Sequence, residues 1–293
     1  MKTEATILSL GIGVQSTAIY YMSTMGLIPR IDFAIFADTG KEKQKTYLYL
    51  QYLQSWAKKN NGPEIIVKTD KNLYADLLNK QNSTDHRFTS IPAYTKNTDG
   101  SIGMLRRQCT GEYKIAVVDN CIRDEIYQLQ PGSRRPATEI YKGITTDEIQ
   151  RMSIPMEAWK VLVYPFCGYR IWKKGSERIK DYAAPVMNRS NLLQWYAENN
   201  LPVPPKSSCV FCPYTSEKTW QDMKANDPED FEAACKVDDA IRDSTKEGVD
   251  NPVYLHESCQ PLRQIIFNEN APDMFKGECT GEECMGTIYQ VIN

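Results

Sequence analysis

Three stretches of the chain hold residue types at spacings that suit chemistry. Ser9-Leu10-Gly11-Ile12-Gly13-Val14-Gln15-Ser16-Thr17 follows a strand-like run and opens a helical one. Its glycines let backbone N–H groups turn inward, the helix start adds partial positive charge, and Ser16 and Thr17 add hydroxyl donors. Together these make a cradle for phosphate or sulfate. The Gly-Lys-Ser/Thr of a P-loop is missing, and Ser16 stands where a dinucleotide fingerprint has its third glycine. The competing reading is a tight strand-to-helix turn without a ligand. Phe36-Ala37-Asp38-Thr39-Gly40 ends the next strand-like run. In a parallel sheet its acid and hydroxyl lie beside the first loop, where a nucleotide sits, although the same residue types also make a capped turn.

The third stretch is Cys209-Val210-Phe211-Cys212-Pro213. The chain has nine cysteines and only two histidines, His86 and His256, so any metal site must be mostly thiolate. Cys209 and Cys212 form a Cys-x-x-Cys pair, and Cys279 and Cys284 are candidates for a second pair around zinc or a 4Fe–4S cluster. Cys109 is a fifth candidate, expected to be a free thiol that does chemistry. A thioredoxin-type redox pair is the alternative, but Cys209 lies far past the strand–helix start such a motif needs. Structural thiols are the plainer one. Cys121, Cys167, Cys235 and Cys259 have no partner at ligand spacing and are expected in the core. His256 is expected to be structural.

Strand-like runs at residues 5–10, 32–37, 63–67, 139–144 and 160–165 alternate with helical ones at 16–25, 46–57 and 111–129. That pattern predicts an α/β fold with a doubly wound, mainly parallel sheet and ligands at the carboxyl ends of its strands. Residues 80–104 are polar, aperiodic and long for a loop, which suggests a flap facing substrate. The texture changes near Tyr164. Residues 1–164 read as a nucleotide-binding α/β domain and 165–293 as a smaller, mostly helical, cysteine-rich lobe. That lobe has a proline-rich break at 201–205 and a helix starting at Asp227-Pro228. Tyr164–Trp172 with Lys173, Lys174 and Arg178 interleaves aromatic and basic residues, which suits single-stranded nucleic acid or a domain seam equally.

Composition narrows the classes. Of the 293 residues 41% are hydrophobic and 25% charged, which excludes disordered and collagen-like chains. A net charge of −2 argues against binding duplex DNA by charge alone. No apolar run approaches the ~18 residues of a membrane helix, and the first residues lack signal-peptide features, so a cytoplasmic protein is expected.

Taken together, the Ser9–Thr17 loop and the Phe36–Gly40 strand end resemble the adenine nucleotide α-hydrolases, or PP-loop ATP pyrophosphatases. The likeness is greatest to their phosphoadenosine phosphosulfate (PAPS) reductase-like branch. Further similar pieces follow in order: Glu42 with Thr46-Tyr47, then Arg106-Arg107-Gln108-Cys109-Thr110 with Lys114, then Gly143-Ile144-Thr145-Thr146-Asp147-Glu148-Ile149-Gln150-Arg151. The resemblance implies a Rossmann-like, HUP-type fold and ATP, or PAPS or adenylylsulfate (APS), with Mg²⁺. It implies Ser9, Gly11, Gly13, Gln15, Ser16, Thr17 and Gly143 around phosphate and Asp38 and Thr39 by the nucleoside. Lys114 and Arg151 would serve anions and Cys109 sulfur delivery.

The reaction implied is adenylylation of a tRNA or DNA acceptor with release of pyrophosphate, followed by replacement of AMP by sulfur. The sulfur would come from a cysteine desulfurase or another donor, and a homodimer fits the same picture. The alternatives are a sulfonucleotide reductase and a non-catalytic nucleotide-binding regulator or defence-system component. The reductase is disfavoured because its Glu-Cys-Gly-Leu-His segment is absent. The regulator is favoured by Gln15, which stands where the ATP pyrophosphatase loop Ser-Gly-Gly-x-Asp-Ser has its aspartate. An amide carries no charge with which to hold Mg²⁺.

Overall fold

A computed structural model describes residues 3–80, 90–179, 186–243 and 251–267. The first half runs β1 (Ala5–Ser9), α1 (Val14–Thr24), β2 (Phe33–Ala37), α2 (Gln44–Lys59), β3 (Glu64–Lys68), α3 (Leu73–Leu78), β4 (Tyr94–Lys96) and β5 (Ile102–Met104). A helix follows whose first and last turns are of the wider π type, Thr110–Ile115 and Ile122–Ile126, around α4 (Ala116–Cys121). Then come β6 (Thr138–Tyr141), β7 (Lys160–Tyr164), β8 (Tyr169–Trp172), β9 (Gly175–Arg178), α5 (Arg189–Glu198), α6 (Glu217–Asn226), α7 (Pro228–Ile241) and β10 (Val253–Tyr254).

Seven strands form one sheet in the order β3-β2-β1-β6-β7-β8-β9. The first five pair in parallel and the last two antiparallel. The central parallel strands are short runs rich in β-branched and aromatic residues, largely buried because both faces are covered, while β3 at the edge carries Glu64 and Lys68 and is only partly buried. Leu8, Ala34, Phe36, Tyr141, Val161 and Val163 pack with α1 and α5 on one face. Ile7, Ile35, Ile140 and Leu162 pack with Val117, Val118, Cys121 and Ile122 on the other. This period-two division on both faces is the doubly wound α/β arrangement the sequence predicts.

The boundary expected near Tyr164 falls inside this sheet, because β8 and β9 extend it beyond β7. The aromatic and basic residues there alternate along a hairpin: Ile171 is buried while Tyr169, Arg170 and Trp172 are half-buried. A second core combines two distant parts of the chain. Leu73, Leu77, Ile91, Ala93 and Tyr113 pack with Phe211, Trp220, Phe231, Ala234 and Leu255. The expected 165–293 lobe is therefore, among the described residues, not assembled from that segment alone. The segment read as a flap corrects likewise. Residues 94–104 form the β4–β5 hairpin, which pairs with β10 in a small antiparallel sheet, whereas residues 81–89 lie outside the described ones.

Helix α7 starts with Pro228 as expected, and Asp230 in its first turn does a second job. The carboxylate accepts the Gln44 N–H at 3.0 Å, capping α2, which has no side-chain cap of its own. Lys41 lies 3.2 Å from the same carboxylate, fixing the chain just before α2. Among the described residues, no helix is long and apolar enough to cross a membrane.

Candidate functional site

The carboxyl ends of β1 and β6 are the point where the strand order reverses, and the sequence's loop lies there. After β1, Leu10 N–H donates to Ile35 O at 2.9 Å and Gly11 N–H to the Ser16 hydroxyl at 3.1 Å. Ser16 therefore braces the loop from inside. Ile12 adopts φ 57°, a left-handed conformation that strains a β-branched residue, with its side chain fully buried. Such strain persists only where the surroundings over-determine it, and functional loops are where it gathers.

Gln15 and Thr17, in the first turn of α1, are 0% exposed, and Gln15 Oε1 and Thr17 Oγ1 have no hydrogen-bond partner. Thr145, two residues past Gly143 on the β6 side, is 0% exposed with its hydroxyl likewise unpaired. Buried polar atoms are normally satisfied, so these orphans on two neighbouring segments are candidate contacts for a polar ligand. Across the crevice, Gln15 Nε2 donates to Glu148 Oε2 at 3.3 Å, and Arg151 lies 2.7 Å from that same oxygen. Arg151 thus forms the i,i+3 pair with Glu148 that its spacing allowed.

The end of β2 is organised differently. Asp38 Oδ1 accepts the Gly40 N–H at 2.9 Å and the Tyr47 hydroxyl at 2.8 Å, which makes it the anchor of a turn. Gly40 sits at φ +91°, and a Cβ there would come 2.0 Å from Asn72 Oδ1, so only glycine fits. The turn leads into residues 41–43, which run antiparallel to 208–210: Val210 N–H donates to Lys41 O at 3.1 Å and Lys43 N–H to Ser208 O at 3.4 Å. That pairing carries Cys209 to the strand end. Its Sγ is 3.1 Å from Thr39 Oγ1 and 3.6 Å from Glu42 Oε1. Thr39 also donates to Glu42 Oε1 at 3.1 Å.

Lys114, presented by the opening π turn of the helix that starts at Thr110, completes the group at 3.4 Å from Glu42 Oε1. Both charges are inside the protein, Glu42 at 0% and Lys114 at 6% exposure. Burial works against the Lys114 charge, yet Glu42 and the Cys209 and Cys109 thiols keep its pKa above the usual lysine value. Burial, then Glu42, pushes the Cys209 thiol well up, and Lys114 opposes them. Burial also pushes Cys212 up, to about 11. Thr39, Lys114, Cys109, Cys209 and Cys212 line one small pocket, with Arg107 at its wall stacked 5.4 Å over the Tyr214 ring.

The sequence-derived residues thus fall into two adjoining groups. Ser9, Gly11, Gly13, Gln15, Ser16 and Thr17 lie at the end of β1 and in the turn after it, and Gly143 and Arg151 on the segment after β6, joined by the Gln15–Glu148 contact. Thr39, Lys114, Cys109, Cys209 and Cys212 share the thiol pocket, so Lys114 stands by a carboxylate and thiols rather than at the loop. Cys279 and Cys284 lie outside the described residues. The donor chemistry of the pocket suits a thiophilic metal in kind, with three cysteines and a nearby cationic wall. Among the described residues, however, no three His, Cys, Asp or Glu side chains stand at metal-holding spacing. Cys121, Cys167 and Cys235 are buried as expected, while Cys259 is only half-buried. His256 is structural, between Glu217 Oε1 at 3.1 Å and Ser258 Oγ at 2.9 Å.

Glu42 is the residue that pattern reading undervalued. It was legible only as a member of a motif, and nothing local in the sequence says that its carboxylate is buried against Lys114. Compared with known proteins, the sequence matches no family model and no curated protein.

Proposed function

We propose that this chain is an adenine-nucleotide-dependent enzyme that activates an acceptor for sulfur transfer. ATP binds with its phosphates at the first turn of α1. An acceptor oxygen attacks the α-phosphate and pyrophosphate leaves; the outer sulfur of a persulfide then displaces AMP, and a second thiol cleaves the S–S bond to leave the thiolated acceptor and a disulfide that an external thiol reduces. Buried N–H donors and Arg151 favour the charge that develops on phosphate oxygens. The observation that carries the reading is the 3.1 Å contact between Thr39 Oγ1 and Cys209 Sγ. It joins the strand end beside the nucleotide crevice to a cysteine brought from the far end of the chain, so activation and thiol chemistry would share one wall.

The acceptor class is tRNA or DNA, and the sulfur donor is a desulfurase or an equivalent persulfide carrier. Cys209 and Cys212 are the pair that, together with Cys279 and Cys284, would hold zinc or an iron–sulfur cluster, and Cys109 is the free thiol for sulfur delivery. When bound, such a group supplies a Lewis-acidic or redox-active centre for sulfur. Nine cysteines, with all seven described ones unpaired, suit a reducing compartment such as the cytoplasm.

The test is pyrophosphate release from ATP with pools of tRNA or short DNA as acceptors. Acceptor-dependent release supports the reading. ATP binding without turnover on any acceptor would leave a nucleotide-binding regulator, and thiol-dependent sulfite release from adenylylsulfate would make the protein a reductase. Iron and zinc analysis of the protein prepared without oxygen tests the metal separately.

A further inference from the structure

The loop's first helical turn offers an amide, Gln15, where a carboxylate would hold a metal-bound phosphate. The missing charge is supplied from the other side of the crevice. Glu148 Oε2 accepts the Gln15 amide at 3.3 Å, which sets a carboxylate beside the N-terminus of α1. That carboxylate is already engaged: Arg151 Nη1 is 2.7 Å away, and both side chains are largely buried, at 17% and 13% exposure. A bare phosphate arriving here meets a carboxylate and an arginine that is partly neutralised by it. Gln15 Oε1 and Thr17 Oγ1, fully buried and unpaired, mark the same place as built for a ligand.

Resting on the nucleotide reading above, we propose that Glu148 and Arg151 are a metal-operated exchange pair. A divalent cation carried by the nucleotide would take the Glu148 carboxylate, and Arg151, no longer facing that charge alone, would take a phosphate oxygen. One ion pair is replaced by two charge-matched contacts, with no net change of charge within the protein. Hard cations such as Mg²⁺ prefer a carboxylate together with phosphate oxygens, so the cation and the phosphate arrive as one ligand. Arginine gains more from a phosphate than from a shared carboxylate because its fork matches phosphate oxygens. The site therefore selects the metal complex of the nucleotide over the free nucleotide. Glu148 would do, from the β6 side, what the loop residue does in a chain with aspartate at position 15.

The experiment is ATP binding by calorimetry in Mg²⁺ and in EDTA, on the full chain and on Glu148→Gln and Arg151→Gln. The wild type should bind at least about tenfold more tightly with Mg²⁺. Glu148→Gln should bind ATP in EDTA more tightly than the wild type, because the carboxylate that competes with phosphate for Arg151 is gone, and its Mg²⁺ preference should shrink to about twofold. Arg151→Gln should weaken binding in Mg²⁺, and melting curves check that both variants fold. Equal wild-type binding in Mg²⁺ and EDTA, or an undiminished Mg²⁺ preference in Glu148→Gln, overturns the exchange while leaving nucleotide binding intact. No ATP binding under either condition overturns the nucleotide reading itself. Titration of Mn²⁺ in the presence of ATP, read by its paramagnetic signal, gives a readout that folding alone does not move. The line shape of the bound Mn²⁺–ATP complex should change in Glu148→Gln, because the cation loses a carboxylate ligand, and an unchanged line shape overturns the exchange.

Discussion

The β1/β6 crevice and the thiol pocket are neighbours at one end of the sheet, but they are built on opposite plans. The crevice comes from two continuous stretches, 9–17 and 143–151, and leaves buried polar atoms without partners. The pocket comes from residues far apart in sequence, with Lys114 and Glu42 separated by 72 positions and Glu42 and Cys209 by 167; it holds its charges in contact through Glu42 Oε1, while Glu42 Oε2 is buried without a partner. A site that waits for a ligand leaves groups open, whereas a site held by its own ion pair cannot lose a member without cost. Changes in the pocket should therefore register in stability, and changes in the crevice in binding.

The largest effect is expected from Lys114→Ala. It leaves the Glu42 carboxylate buried without its cation, a loss of about 3–5 kcal/mol in urea unfolding. Glu42→Gln made together with Lys114→Met should recover much of that, and failure to recover would show that the pair is not what holds the pocket. Next comes Gly40→Ala, which combines a left-handed backbone with a clash against Asn72, the residue that caps α3 through Ala75 N–H at 2.9 Å. About 2 kcal/mol of destabilisation should follow, read in the same assay.

Thr17→Val is the counterpart in the crevice. It removes a buried hydroxyl that has no partner, so stability should stay within about 0.5 kcal/mol or rise slightly. ATP affinity should fall about tenfold, measured by calorimetry, because the hydroxyl is lost as a phosphate donor. A variant that unfolds instead would erase the contrast between the two regions.

The smallest effect concerns thiols outside both regions and provides a baseline. Burial pushes Cys121 and Cys235 from 9.0 up to about 11. In the unfolded chain these thiols ionise near pH 9, while the native ones keep their protons. Their contribution is thus complete below pH 9 and is lost as pH rises towards about 11. Urea midpoints should decline across that interval, less steeply in Cys121→Ala.

How much of this could be read from the sequence follows from the same division. Strands β1, β2, β3, β6 and β7 were legible because runs such as Phe33–Ala37 and Val161–Tyr164 are too short for helices and apolar throughout. The β8–β9 hairpin was not. Its Tyr, Arg and Trp alternate on a half-buried edge and look like a binding surface when read for composition alone. In the crevice, the loop and the 143–151 segment each announce themselves through glycines, hydroxyls and charges in a fixed local order. The Gln15–Glu148 contact between them depends on β6 pairing with β1, which no local pattern encodes. The pocket was half legible: Cys209 and Cys212 declare themselves by spacing, but their union with Cys109, Lys114 and Glu42 depends on residues 41–43 pairing with 208–210. A non-local pairing of that kind has no local signature.

The second core, shared by residues 73–113 and 209–267, has a consequence for the order in which the molecule forms. The strands β1, β2, β3, β6 and β7 all lie before residue 165, a little over half of the chain, although the β1–β6 pairing joins residues more than 130 positions apart. Tyr113, Leu73 and the helical turn bearing Lys114 must wait for Phe211, Trp220 and Phe231 before they are covered. The strands of the parallel sheet are therefore complete in the nascent chain before Cys209 is, and the thiol pocket closes only with the later segment. Until Cys209 docks beside Thr39, the cysteines stay apart and exposed to whatever the surrounding medium contains, and chaperones or thiol-protecting conditions would act in that interval.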